Sequence, residues 1–162
     1  NLPYYITSPV IMRLLESRLK IESVTVMVQK EAAVRLCADV GSRDSGAVTV
    51  AVNYYAEAQK LFDVSRGSFM PSPNVDSSVI RLDILSEPPI TVSDERFFFS
   101  MVKAAFSQRR KTASNGISSG TGIAKPTVIK AIEAAGLPST VRAEALTMEQ
   151  LGELCEELYA LK

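Results

Sequence analysis

One discontinuity governs what this chain can fold into: at Glu87-Pro88-Pro89 the pattern of apolar residues changes kind. Before it, short β-branched runs alternate with stretches of helical spacing, whereas after it only helical spacing remains. Each proline fixes its own φ and holds the preceding residue extended, so the pair reads as a stiff linker. The chain is therefore expected to be α/β over residues 1–86 and all-helical over residues 87–162. At 162 residues and 46% apolar, it has enough hydrophobic mass for both parts to bury a core.

In the first part, Ser8 reads as an N-cap with Pro9 at the first helical position, and Val10, Ile11, Leu14, Leu15 and Leu19 share a face. The charge-free run Val24 to Val28 predicts a strand buried on both faces of a parallel sheet. A helix from about Glu31 to Val40 follows, stopped by Gly41. Ser45 to Ala56 fits both periods and is taken as helix, and Leu61 to Val64 and Ser78 to Leu85 read as strands. The stiff diproline loop Phe69 to Val75 joins those two as neighbours. In the second part Phe98, Met101, Val102, Ala105 and Phe106 form one stripe, and helices are expected over about 126–135 and 147–161. A Thr147/Gln150 capping box opens the last of them, while the Gly/Ser-rich stretch Ser114 to Gly122 reads as a flexible interruption.

Composition narrows the function. Histidine is absent, which removes Ser-His-Asp and Cys-His systems, imidazole zinc sites and histidine general bases. No run approaches the roughly 18 apolar residues of a membrane span, the first residues lack the form of a signal peptide, and Cys37 and Cys155 read as buried free thiols. A cytoplasmic protein without membrane contact is expected. Net charge is zero, yet Arg96, Lys103, Arg109, Arg110, Lys111, Lys125 and Lys130 occupy a stretch with no acidic residue. Beyond it, Glu133, Glu144, Glu149, Glu153, Glu156 and Glu157 outnumber Arg142 and Lys162. A localised positive surface suits phosphate contact, and a whole-chain total does not test for one.

Asn1-Leu2-Pro3-Tyr4 has the form [Asn/Asp/Ser]-x-Pro-[Tyr/Phe], the pocket pattern of methyltransferases acting on exocyclic amines. The lone pair of an adenine N6 is delocalised into the ring, and two oxygen acceptors on its hydrogens favour the pyramidal geometry that frees it for attack. The Asn1 side-chain oxygen and the Leu2 carbonyl can supply them. Tyr4 offers a flat face for the base, and such stacking is worth ~1–3 kcal/mol per base. Each feature has a plain alternative: a turn before a helix for Pro3 and Tyr4, a loop plug for Phe69, core packing for Tyr54, Tyr55 and Phe97 to Phe99, and a helix end for Arg109 to Lys111.

Five blocks in one order decide between these readings. They are Asn1 to Pro9, Val28 to Leu36, Phe69 to Leu82, the run Ala105-Phe106-Ser107-Gln108-Arg109-Arg110-Lys111-Thr112, and Arg142 to Gln150. In this the chain resembles the ribosomal small-subunit adenine dimethyltransferases and, more distantly, the resistance methyltransferases acting on large-subunit RNA. The resemblance implies the C-terminal part of a Rossmann-like class I methyltransferase sheet followed by a small helical RNA-binding domain. It further implies S-adenosylmethionine as methyl donor, with no metal, and transfer of two methyl groups to each of two adjacent adenosines in small-subunit ribosomal RNA. Asn1 and Leu2 would accept from the target amine, Asn1 would also lie against the donor, and Tyr4 and Phe69 would stack on the flipped base. Lys103, Arg109, Arg110 and Lys111 would hold RNA phosphates on the ribosomal subunit, the protein acting as a monomer.

Two departures stand out. After Thr112 the family continues with a leucine, another arginine and asparagines, where this chain has Ala113-Ser114-Asn115-Gly116. The glycine-rich loop and acidic ribose-binding residue that the family places upstream of the pocket pattern are absent, and the sequence opens without Met. The chain thus reads as a fragment inactive by itself; a non-catalytic RNA- or ribosome-binding module is the other reading.

Overall fold

The computed structural model describes residues 1–17 and 19–161; Lys162, counted above, lies outside them. The element order is α1 (Thr7–Glu16), β1 (Ser23–Gln29), α2 (Lys30–Leu36), α3 (Ala47–Tyr55), β2 (Ala56–Val64), β3 (Ser77–Ile84), α4 (Glu95–Ala105), α5 (Ala113–Thr121), α6 (Lys125–Ala134) and α7 (Met148–Ala160). The molecule is α/β, with a three-stranded sheet in the order β1-β3-β2. Among the described residues no helix is long and apolar enough to cross a membrane.

β1 departs from expectation. It pairs antiparallel with β3, Val26 opposite Ile80, and is covered on one face only. Val24, Val26 and Val28 turn into the first core while Thr25 is exposed, so the uncharged run is an alternating, half-buried strand. β3 lies central, Ile80 and Leu82 wholly buried, with Arg81 and Asp83 bridged at 2.7 Å on the opposite face. β2 joins β3 through the loop that carries Phe69, and its register shifts between Lys60 and Phe62, a bulge that leaves Leu61 and Phe62 exposed.

Helix boundaries also moved. A 3-10 turn, Tyr4–Ile6, runs directly into α1, so the helix begins at Thr7 with Ile6 as its cap and Ser8 inside it. Leu19 is exposed beyond its end. α2 stops at Leu36, and Gly41, at φ +88°, instead turns the loop that follows. Cys37 at the end of α2 is half-buried and Cys155 buried; both are free.

The larger correction concerns residues 113–121. This Gly/Ser-rich stretch is a helix packed on α4, because its glycines admit close approach. A Cβ added at Gly116 would lie 2.6 Å from the Ala104 carbonyl oxygen, and one at Gly120 would lie 2.5 Å from the Ala104 Cβ. Gly122, at φ +75°, ends α5 in the left-handed conformation. Asp94 caps α4 by accepting from Phe97 N at 3.0 Å, and the Thr147/Gln150 box opens α7 as expected.

Two buried clusters result. Ile11, Leu15, Val28, Leu36, Ile80 and Leu82 form one beneath the sheet; Phe98, Met101, Ile117, Ile132, Leu151 and Leu158 belong to the other among the later helices. α3 serves both, Val50 and Tyr54 in the second and Val52 in the first. Tyr54 packs its ring 5.6 Å from Phe98, and Tyr55 stacks on Phe99 at 5.6 Å.

Candidate functional site

Pro3 (φ −57°, ψ 135°) directs the opening residues into the 3-10 turn, and its carbonyl accepts from Ile6 N at 3.1 Å and Thr7 Oγ1 at 3.2 Å. That carbonyl is thus occupied, which leaves the Asn1 side chain and the Leu2 carbonyl as the acceptors of interest. Asn1 is exposed and Tyr4 half-buried. The Tyr4 hydroxyl and Ser77 Oγ share a hydrogen bond of 2.7 Å. Ser77, wholly buried, is the first residue of β3 and faces Gln29 at the end of β1. The opening tetrapeptide therefore sits where the loop carrying Phe69 returns to the sheet.

Arg66 braces that loop. Its amide donates to Asp76 Oδ1 at 3.0 Å, its guanidinium donates to the Asn74 carbonyl at 3.2 Å, and its own carbonyl accepts from Ser72 Oγ at 2.9 Å. Phe69 N also donates to the Arg66 carbonyl, at 3.3 Å, and Lys30 N ties the Asp76 carbonyl to the start of α2 at 3.0 Å. Phe69 is half-buried and Met70 almost fully exposed. Ring pairs among the described residues lie elsewhere, in the set Tyr54, Tyr55, Phe97, Phe98, Phe99 and Tyr159, so no other ring occupies the faces of Tyr4 and Phe69. Beside this frame Asp63 accepts from Ser78 Oγ at 2.7 Å and meets Lys30 Nζ at 3.1 Å and Lys60 Nζ at 3.2 Å. The Ser78 hydroxyl and then the two ammonium groups hold its carboxyl down at about 2.

Sequence reasoning missed Ser77, Asp76 and Arg66 as the frame of the site. A serine or a charged residue in a loop ordinarily reads as surface; the signal was available in the Val75-Asp76-Ser77-Ser78 part of the loop block.

The cations lie on the later helices. Lys103 is exposed in the last turn of α4, and Arg109, Arg110 and Lys111 are exposed in the turn between α4 and α5, closed by Lys111 N donating to the Gln108 carbonyl at 2.9 Å. Among the described residues no hydrogen bond runs from their side chains to the end of α4, where Phe106 N serves the Val102 carbonyl at 3.1 Å and Ser107 serves Ala104 through both N and Oγ. Gln108 to Lys111 line a hollow of about 280 Å³. A second hollow, of about 470 Å³, brings Arg109 and Arg110 together with Arg142 and with Arg43 from the α2–α3 loop. The Arg142 guanidinium donates to the Arg109 carbonyl and bridges Glu144 at 3.0 Å.

A larger cleft of about 610 Å³, lined by Arg13, Glu16, Ser17, Tyr55, Glu95, Arg96 and Phe99, holds none of the expected residues. There the Tyr55 hydroxyl donates to Glu95 Oε1 at 2.5 Å, and burial followed by that bond pushes its pKa far up. Tyr54, Phe97 and Phe98 are core as expected, whereas Tyr55 and Phe99 are half-buried at this cleft.

Residues 1–159 match the family model described as ribosomal RNA adenine dimethylase. The chain is 46% identical over 158 residues to the ribosomal RNA small subunit methyltransferase A of Lachnoclostridium phytofermentans, covering 96% of this chain and 54% of that protein. It is also 46% identical over 164 residues to the protein of that name from Geobacillus thermodenitrificans, covering 99% and 56%. Among solved structures, a dimethyladenosine transferase from Plasmodium falciparum superposes with TM-score 0.77 at 24% identity, over 95% of this chain and 63% of that one. The 23S rRNA methyltransferase ErmE superposes with TM-score 0.66 at 27% identity, over 98% and 63%. The chain spans about half the length of the curated relatives it matches.

Proposed function

Because this chain belongs to the ribosomal RNA adenine dimethylase family, we propose that the complete protein transfers methyl groups to the N6 amines of two adjacent adenosines in small-subunit ribosomal RNA. In this reading residues 1–86 close a Rossmann-like class I sheet and supply the base slot, and residues 87–162 form the helical domain that docks the RNA. The observation that supports it is the 2.7 Å bond between Tyr4 and Ser77, which ties the opening tetrapeptide to the strand end where the loop carrying Phe69 returns to the sheet. The Asn1 side-chain oxygen and the Leu2 carbonyl accept from the amine and turn its lone pair outward; Tyr4 and Phe69 take the faces of the displaced base. Displacement costs a few kcal/mol, less for a base already single-stranded, and stacking offsets much of it.

The donor we propose is S-adenosylmethionine, which supplies an electrophilic methyl carbon. Asn1 is the residue of this chain proposed to lie against it, and no Gly-x-Gly-x-x-Gly turn occurs in the sequence to hold it. The chain alone is accordingly proposed to be inactive, and no step is assigned through the donor. A methylated amine held at these acceptors would carry a positive charge and could release its proton to water, so this reading calls on neither metal nor histidine. Lys103, Arg109, Arg110 and Lys111 hold phosphates of the ribosomal subunit.

The test is methyl transfer by the complete protein to unmethylated small-subunit RNA. Phe69→Ala is expected to lower kcat/KM by roughly 5- to 150-fold, the worth of one stacked base, and Asn1→Ala to lower kcat by about 100-fold or more. Unchanged rates in both would remove the slot. RNA binding without methyl transfer by the unaltered protein would favour a non-catalytic docking module instead.

A further inference from the structure

The hollow that joins the α2–α3 loop to the turn after α4 shares no residue with the base slot, and the residues it gathers call for an anionic guest. We propose that it is a phosphate site that takes a backbone phosphodiester of the RNA, with Arg43 and Ser45 as its contacts from the α/β part. The proposal rests on the RNA-directed reading above and deepens it.

Four guanidinium groups, of Arg43, Arg109, Arg110 and Arg142, line this hollow with two carboxylates, of Asp44 and Glu144. Glu144 is bridged to Arg142 at 3.0 Å, and Arg142 also donates to the Arg109 carbonyl, so this pair braces the wall. Arg43, Arg109 and Arg110 then stand against Asp44, a local excess of positive charge. Ser45 is an independent witness. It lines the same hollow at 1% exposure, and its Oγ has no hydrogen-bond partner among the described residues. A buried hydroxyl without a partner is costly, and beside guanidinium groups the partner that suits both is an oxygen that only accepts, as a phosphate's does.

The loop is held where it is. Ser42 N donates to the Asp39 carbonyl at 3.2 Å, and Ser45 N donates to the Ser42 carbonyl at 3.0 Å. Gly41 turns at φ +88° against the backbone ahead of α7, where an added Cβ would lie 3.5 Å from the Leu146 carbonyl oxygen. The loop leading to Arg43 thereby lies close to the helical part. Arg109 and Arg110 line both this hollow and the neighbouring one of Gln108 to Lys111, so the cationic surface continues past the size of a single ion. A strand of successive phosphates fits that extension; a lone anion does not use it.

The experiment measures binding of the complete protein to small-subunit ribosomal RNA across a range of salt. Arg43→Glu is expected to weaken binding roughly fivefold and to reduce the log–log salt slope by about 1, raising KM for RNA more than it lowers kcat. Arg43→Lys should recover most of the affinity. Ser45→Ala should weaken binding while leaving the thermal midpoint equal or higher, since it removes an unpartnered hydroxyl; a merely structural serine would lower that midpoint. Arg43 is exposed, so its variants should fold, and if they do not the Ser45→Ala arm decides. Unchanged affinity and slope in Arg43→Glu, with both reduced in Arg109→Glu, would overturn this site and leave the function standing. Loss of inorganic phosphate binding with RNA affinity intact would make it a free-anion site and overturn the proposal as well. Failure of the unaltered protein to bind RNA would overturn the function and this site with it.

Discussion

At the scale of single residues, the bond between Tyr4 and Ser77 separates two roles of one side chain. The ring is proposed to face a base, while the hydroxyl satisfies a wholly buried serine. Tyr4→Phe should therefore cost about 1–2 kcal/mol of stability by leaving Ser77 without that partner, yet retain more methyl transfer than Tyr4→Ala, which removes the ring too. Denaturant unfolding beside turnover of the complete protein on RNA checks both. Asp63 makes a different prediction. Its carboxyl is held at about 2 by Ser78 Oγ, Lys30 and Lys60, below the ordinary carboxylate value of roughly 3.9. A group depressed in the folded state contributes stability above its unfolded value and loses it as pH falls through the folded one. Asp63→Asn should accordingly flatten the decline of the urea midpoint between about pH 4 and pH 2, and an unchanged decline would detach Asp63 from the acid limb. Cys155 is also marked by its surroundings: burial, then Glu156 and Asp94, push its thiol up to about 12, which agrees with an inert core cysteine.

At the scale of elements, the contact of α4 with α5 depends on two missing side chains. Gly116→Ala would force a Cβ to within 2.6 Å of the Ala104 carbonyl oxygen, with Ala105 O at 2.8 Å, and backbone on both sides leaves little to yield. A loss of about 1–3 kcal/mol in equilibrium unfolding is expected, the usual cost of overpacking. The same glycines explain why this helix was illegible beforehand. Gly and Ser are poor helix formers taken singly, and nothing local reveals that their smallness serves a neighbour. By contrast α7 was readable through its capping box, and α4 through its Phe98, Met101, Val102 and Ala105 stripe, because those signals are local. β1 was found in place but misread in kind: a run of apolar residues records burial without saying which strand will lie beside it, and Thr25 alone hinted at an open face. In the candidate site the aromatic and amide residues stood out by type. Ser77 and Asp76 did not, since their roles arise only when the loop closes on the sheet.

At the scale of the whole molecule, a chain of zero net charge can still carry a strongly cationic end, because its acidic residues are gathered elsewhere. Arg109 and Arg110 stand exposed in one turn, and reversing both to Glu should weaken RNA binding across sequences and lower the salt slope by about 2. No change in a salt titration would take these arginines out of the docking account. Placement matters as much as charge. α3 sends Val50 and Tyr54 to one apolar cluster and Val52 to the other, so it is a keel common to two hulls. The arginine turn and the Tyr4 corner are thus linked through one helix that both clusters share. On the proposed reading, RNA gripped at one end is thereby gauged at the other, as a workpiece is between fixed jaws.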